Sequence, residues 1–317
     1  MKRFLGLFIV LFLISACDDG DMTVDNIDFA DVSAQKCSNK DIIYKIKGNE
    51  MLLLVLPEYI FVADETPDGQ PVELPINSTN QVIYRTYNGT VSSNNICPDV
   101  PSATPNVTEE WNALSGIIQI TSTAIKSTNS TTHATKITGY KYYIEFKNIT
   151  FQKPEGAQVY ETFVFGNYNT SITPLAFGFD EEVEKSSCDD RVFNFSGSEA
   201  FLLDVEDFNG LFKNEVTTAP RTLLIDNFNT VTYKLFTGNV EDAYFCTSPA
   251  PILPVLTQEW NAENGIEATN GIIEVTTTTL GNGFQHTIRF KKVTLKKGNS
   301  DFFLGNDYLF GSFITYP

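Results

Sequence analysis

The sequence predicts an all-β chain built as two tandem homologous antiparallel β-sandwich or barrel-like domains. Three observations predict it. Aromatic residues make up 13% of the 317 positions, with 25 Phe and 13 Tyr, a composition that favours strands over helices. Several segments alternate apolar and polar residues with period two. The same segments return later in the chain at a nearly constant offset of 149 residues.

The offset is clearest at the two tryptophans. Thr108-Glu109-Glu110-Trp111-Asn112-Ala113 returns as Thr257-Gln258-Glu259-Trp260-Asn261-Ala262. It also aligns Asp41-Ile42-Ile43-Tyr44 with Asp190-Arg191-Val192-Phe193, and Val82-Ile83-Tyr84-Arg85 with Val231-Thr232-Tyr233-Lys234. Beyond the tryptophans the offset drifts, as loops of different length require. Gly116-Ile117-Ile118 then matches Gly271-Ile272-Ile273. Too few and too long for a solenoid, the repeats imply one domain over residues 32–172 and a second over 180–317, joined near residues 171–174.

Within each repeat the phase assigns strands. Tyr140, Tyr142, Ile144 and Phe146 share one face of a strand, and Phe284, His286, Ile288 and Phe290 repeat the pattern. In both copies the phase slips by one afterwards, which predicts a bulge or tight turn near Asn148 and Lys292. Further strands are expected at residues 42–47, 51–55, 81–87, 116–125 and 160–165, as part of about seven short strands per repeat. Turn chemistry marks Gly48-Asn49, Pro67-Asp68-Gly69, Asn88-Gly89 and Gly281-Asn282-Gly283. The Trp segments are expected to be short helices, capped by Thr108 and Thr257, the first ended by Gly116, each plugging the core with its indole.

The N-terminus carries an address. Met1-Lys2-Arg3 precedes an apolar run, then Ile14-Ser15-Ala16-Cys17. A charged start, roughly ten apolar residues and small residues at the end describe a signal peptide, here residues 1–16. Ile14-Ser15-Ala16-Cys17 resembles the lipobox of bacterial lipoproteins. That resemblance implies acylation of Cys17 with fatty acids such as palmitate, and attachment to the membrane through the lipid. Residues 17–31 then form an acidic tether, extended by like charges. Asp18-Asp19-Gly20-Asp21 resembles the acidic export signal of Bacteroidetes lipoproteins, which implies an outer-membrane protein displayed on the cell surface. An Asp directly after the Cys also resembles the inner-membrane retention signal of enterobacterial lipoproteins.

With Cys17 given to lipid, four of the five cysteines remain. The repeat selects one pairing of the three possible: Cys37 with Cys97 and Cys188 with Cys246. No Cys lies within a few residues of another Cys or a His, so neither a metal nor a cofactor is expected.

Chemistry is sparse. A net charge of −17 opposes nucleic-acid binding. His286 occupies the place of Tyr142 and reads as packing at a sheet margin; His133 reads as a loop residue. Glu109, Glu110, Glu145, Asp204 and Glu259 offer carboxylates for a glycosidase, but nothing singles out a pair. No nucleophile elbow, zinc-protease motif or phosphate loop is present, so no enzyme is expected. The rings of Tyr84, Tyr87, Tyr143, Tyr233 and Phe236 have two readings: cross-strand pairing, or an exposed platform for a ligand. The functional expectation is a lipid-anchored, non-catalytic binding or adhesion module for a glycan or an envelope protein. The alternatives are a structural accessory of the envelope and a carboxylate-dependent glycosidase.

Overall fold

A computed structural model describes residues 27–317, so the signal peptide, the lipidation site Cys17 and most of the acidic tether lie outside the described residues. Strands dominate and every pairing between named strands is antiparallel.

The first half runs β1 (Gln35–Lys36), β2 (Ile42–Lys47), β3 (Glu50–Val55), β4 (Val72–Pro75), β5 (Gln81–Tyr87), β6 (Val107–Thr128), β7 (Thr135–Lys153) and β8 (Gly156–Ser171). These form one sheet in the order β1-β2-β3-β5-β6-β7-β8, with β4 added along β6. The second half runs β9 (Glu184–Lys185), β10 (Val192–Ser196), β11 (Glu199–Asp204), β12 (Arg221–Leu224), β13 (Thr230–Phe236), β14 (Leu256–Ala262), β15 (Ile272–Leu280), β16 (Gly283–Lys291), β17 (Thr294–Lys297), β18 (Ser300–Phe303) and β19 (Tyr308–Thr315). Here two sheets form, ordered β18-β17-β14-β13-β11-β10-β9 and β12-β15-β16-β19.

Residues 149 apart hold equal places in the pairing. Ile43 faces Leu54 as Val192 faces Leu203. Tyr84 faces Trp111 as Tyr233 faces Trp260, and the register shifts at Thr86/Tyr87 and again at Leu235/Phe236. What is one continuous strand in the first half is split in the second. β6 corresponds to β14 plus β15, interrupted by the longer loop at residues 263–271. β7 corresponds to β16 plus β17. Asn148 and Lys292 both take a left-handed backbone, with φ of 49° and 51°, at the two places where the phase slips. In the first half the chain pairs on through this kink, with Lys147 facing Ile117 and Thr150 facing Ser115.

Three expectations need correction. The Trp segments are strands, not helices. Cross-strand partners decide this: Trp111 packs on Tyr84 at 4.8 Å between ring centroids, and Glu110 meets Arg85 at 2.6 Å. A helix would scatter these partners around its axis, whereas period two keeps them in register. The strands of the first half are long, with 22 residues in β6 and 19 in β7, because bulges let one strand bend and serve two partners. The packed chain also reaches back to Ile27, before the expected boundary at residue 32. Ile27 and Phe29 are buried in the core, Asp28 pairs with Lys47, and Lys45 Nζ donates to the Phe29 carbonyl at 3.0 Å.

One cluster of buried side chains runs through both halves. Two smaller clusters lie apart from it. One surrounds Cys37 with Met51, Tyr87 and Ile96; the other gathers Phe193, Leu202 and Phe236, with Phe245 against it. The disulfides Cys37–Cys97 and Cys188–Cys246 form with Cα separations of 5.3 and 5.6 Å. They span 60 and 58 residues, and closing loops of that length restricts the unfolded chain. Replacing Cys37 and Cys97 together by Ser should lower stability by about 2–4 kcal/mol in urea unfolding. A loss below about 1 kcal/mol would show that the cross-link does little.

Candidate functional site

Two loops of the first half meet the second half. The first is the segment around Asp64. Its carboxylate accepts from the backbone N–H of Ser300 at 2.8 Å, from that of Asn299 at 3.1 Å and from the Ser300 hydroxyl at 2.7 Å. These donors lie at the β17–β18 turn, where Gly298 has φ of 60° and a Cβ would fall 2.1 Å from Asp64 Oδ2. Only glycine meets both demands. Ser300 is fully buried, and its hydroxyl also meets Tyr140 Oη at 3.2 Å. Around this clasp, Asn299 Nδ2 donates to the Glu65 carbonyl at 3.0 Å and Lys126 pairs with Asp301 at 2.8 Å. The second contact is the β6–β7 hairpin tip. Thr132 O accepts from Asn306 N at 3.0 Å, and Thr135 Oγ1 accepts from Phe303 N at 2.8 Å.

Between these contacts lies a cavity of about 400 Å³. Its mostly apolar wall includes Tyr140, Phe177, Trp260, Lys297, Phe302 and Tyr308. The rings form a connected set: Trp260 meets Phe302 at 4.9 Å, Phe302 meets Phe177 at 5.6 Å, and Phe177 meets Tyr308 at 6.3 Å. The Trp260 indole N–H donates to Gln258 Oε1 at 3.0 Å, and Lys297 Nζ lies 5.3 Å from the ring centroid.

Phe177 is placed against its own backbone preference, with φ of 51°. Glu199 holds it there. This buried carboxylate accepts from Phe177 N at 3.1 Å, Gly178 N at 3.3 Å and Tyr233 Oη at 2.5 Å. Phe177 then stacks on Tyr233 at 4.7 Å. Burial, and after it the carboxylate of Glu199, push the Tyr233 hydroxyl far above its ordinary pKa, so it stays a donor. Tyr84 and Glu50 repeat this pair in the first half, also at 2.5 Å.

Four of the five rings expected to contact a ligand are buried. Tyr84 and Tyr233 sit in the main core, and Tyr87 and Phe236 in the smaller clusters. A ring enclosed on all sides cannot stack on a ligand: Tyr84 packs across strands on Trp111, Tyr233 on Phe177, and Phe236 on Tyr244 and Phe245. Tyr143 is 38% exposed but stands on β7 away from the cavity. None of the five expected rings lines the cavity; Trp260, a predicted core plug, and Tyr140, on a predicted strand face, do.

Four of the five candidate carboxylates are engaged elsewhere, and the fifth, Asp204, is exposed at the end of β11. Glu110, Glu145 and Glu259 pair with Arg85, Lys147 and Lys234, and Glu109 accepts the Trp111 indole N–H. His133 is exposed in the β6–β7 hairpin, as a loop residue. His286 is not at a sheet margin: β16 lies between β15 and β19, and the imidazole is fully buried. Its bonds form a chain. Arg221 Nη1 donates to Thr277 Oγ1 at 2.8 Å, which leaves that hydroxyl to donate to His286 Nδ1 at 2.9 Å. His286 Nε2–H then donates to Thr315 Oγ1 at 2.8 Å, and Thr315 donates to Asn214. This wiring requires the neutral ring protonated at Nε2.

A scan against family models, a search of curated proteins and a search of solved structures each return no match.

Burial first, and then the nearby Arg221 cation, lower the His286 pKa to about 4. The unfolded chain binds this proton near pH 6.5, the folded chain only near pH 4. Between these values the unfolded state holds more protons, so stability falls as pH falls. The wild type should lose on the order of 3 kcal/mol more than His286→Gln between pH 7 and 4 in urea unfolding. Equal losses in the two proteins would refute the assignment.

Proposed function

We propose that this chain is a lipid-anchored, non-catalytic binding protein of the outer membrane, facing outward, made of two homologous domains. Its ligand is a small, mainly apolar molecule held where the halves meet. The cavity carries this reading. At about 400 Å³ it lies within the range of small-molecule sites, and its wall is ringed by aromatic side chains with a few polar groups. The sheet faces marked by the predicted aromatic platform do not supply such a site, which turns the reading away from a glycan.

The anchor rests on the resemblance of Ile14-Ser15-Ala16-Cys17 to a lipobox. Nine residues lie between Cys17 and Ile27, which is buried in the core. Fully extended, they reach about 30 Å. The body would therefore stand close to the bilayer surface.

A second reading, an accessory that assembles with other envelope proteins, is favoured by β8. This 16-residue strand forms one margin of the first-half sheet and exposes Val159 and Val164. A partner strand pairing there would extend the sheet.

The test has two arms. External protease should digest the protein on intact cells, and Cys17→Ala should move it out of the membrane fraction. The unlipidated Cys17→Ala chain should bind decanol saturably by calorimetry, and Ala134→Trp, which fills the cavity, should abolish that binding. Protection from protease would refute surface display. Absence of decanol binding would refute the cavity reading.

A further inference from the structure

The cavity wall is not uniformly apolar, and its polar groups differ in how they are engaged. Asp307 is neutralised twice, by Arg289 at 2.7 Å and by Lys291 at 3.0 Å. Lys136 Nζ donates to the Ala176 carbonyl at 3.3 Å. Gln258 is taken by the Trp260 indole. Lys297 stands apart from these. Among the described residues its ammonium has no carboxylate and no hydrogen-bond acceptor, only the Trp260 ring beneath it. Tyr308 is similar: among the described residues its hydroxyl donates to nothing, while its ring packs on Phe177 and Phe290. Burial, and then Glu199, raise the Tyr308 pKa, so the group remains a neutral donor.

The corresponding lysine of the first half shows that the cavity is particular to the seam. Lys153 lies over Trp111 at 4.6 Å as Lys297 lies over Trp260. Yet Lys153 also donates to Gln158 Oε1 at 3.2 Å, and the tip of its hairpin, Pro154-Glu155-Gly156, is exposed among the described residues. Around Lys297, by contrast, residues of the other half such as Thr132, Ala134 and Tyr140 line the cavity with it.

We infer that the cavity recognises an amphipathic anion: an apolar or aromatic body among the rings of Phe302, Phe177 and Tyr308, with its carboxylate on Lys297 above Trp260. The inference rests on the binding role proposed above and adds the chemical class. Long-range electrostatics oppose it, since the chain's net charge of −17 repels anions. An anion that binds here is therefore held by the local cation, and removal of that cation is decisive. A charge-assisted hydrogen bond in a largely apolar pocket contributes about 1.5–3 kcal/mol, which is about tenfold or more in affinity.

The experiment uses the Cys17→Ala chain and three probes sharing one apolar tail: sodium decanoate, decanol and decyltrimethylammonium, titrated by calorimetry at pH 7. Decanoate should bind about tenfold more tightly than decanol, and the cation most weakly. Lys297→Gln should abolish the preference for decanoate over decanol, with thermal unfolding kept within about two degrees of the wild type. Equal affinity for decanoate and decanol, or preference for the cation, would overturn the anion assignment while leaving the apolar cavity intact. Binding of none of the three would overturn both readings together.

Discussion

Asp64 is the constraint on which the arrangement of the halves depends. A single carboxylate collects two backbone N–H groups and a buried hydroxyl from a turn more than two hundred residues away. It does so only because Gly298 leaves room and accepts the left-handed backbone. The turn so held carries Lys297 at one end and Ser300 at the other. Ser300 reaches Tyr140, and Lys297 covers Trp260. Both sides of the cavity are thus set by one clasp. Hydrogen bonds to a charged acceptor are among the stronger in proteins, and the burial of Ser300 keeps water from competing.

The halves share a pairing scheme and differ where their chemistry differs. Lys45 and Asn194 hold equal places, and both fix the segment that leads into their half: Lys45 donates to the Phe29 carbonyl, Asn194 to that of Asp180. Burial lowers the Lys45 pKa, a cost the neutral Asn194 avoids. Tyr142 and His286 are also equivalent. The tyrosine donates to Val62 O, beside the clasp, whereas the imidazole is wired between two threonines. One scaffold therefore accommodates different buried polar groups, though not every atom finds a partner: Asn194 Oδ1 is buried without one among the described residues.

The sequence made the strand content, the two disulfides and the kinks at Asn148 and Lys292 legible, because each is local or is repeated at a constant offset. The Trp segments misled because Thr-Glu-Glu satisfies the rules for a helix start, while the partners that override them, Tyr84 and Arg85, lie over twenty residues away. The site itself was mostly hidden. Asp64 and Ser300 are ordinary loop and strand residues until the halves meet, and nothing local reports a contact across 236 positions. Two signals were present. Gly48-Asn49-Glu50 recurs as Gly197-Ser198-Glu199, which marks the carboxylate that positions Phe177. Lys297-Gly298-Asn299 has turn chemistry where the first half has Lys153-Pro154-Glu155.

Binding at a seam couples the ligand to the fit between the halves, so the clasp is where structure and function are tied together. Hydrogen exchange of the Asp64→Ala chain measures this directly. Amides at residues 297–303 and 132–137 should lose protection together, while the strands that flank both disulfides exchange as in the wild type. Unchanged exchange at residues 297–303 would mean that the halves are held by apolar packing alone and that Asp64 is incidental.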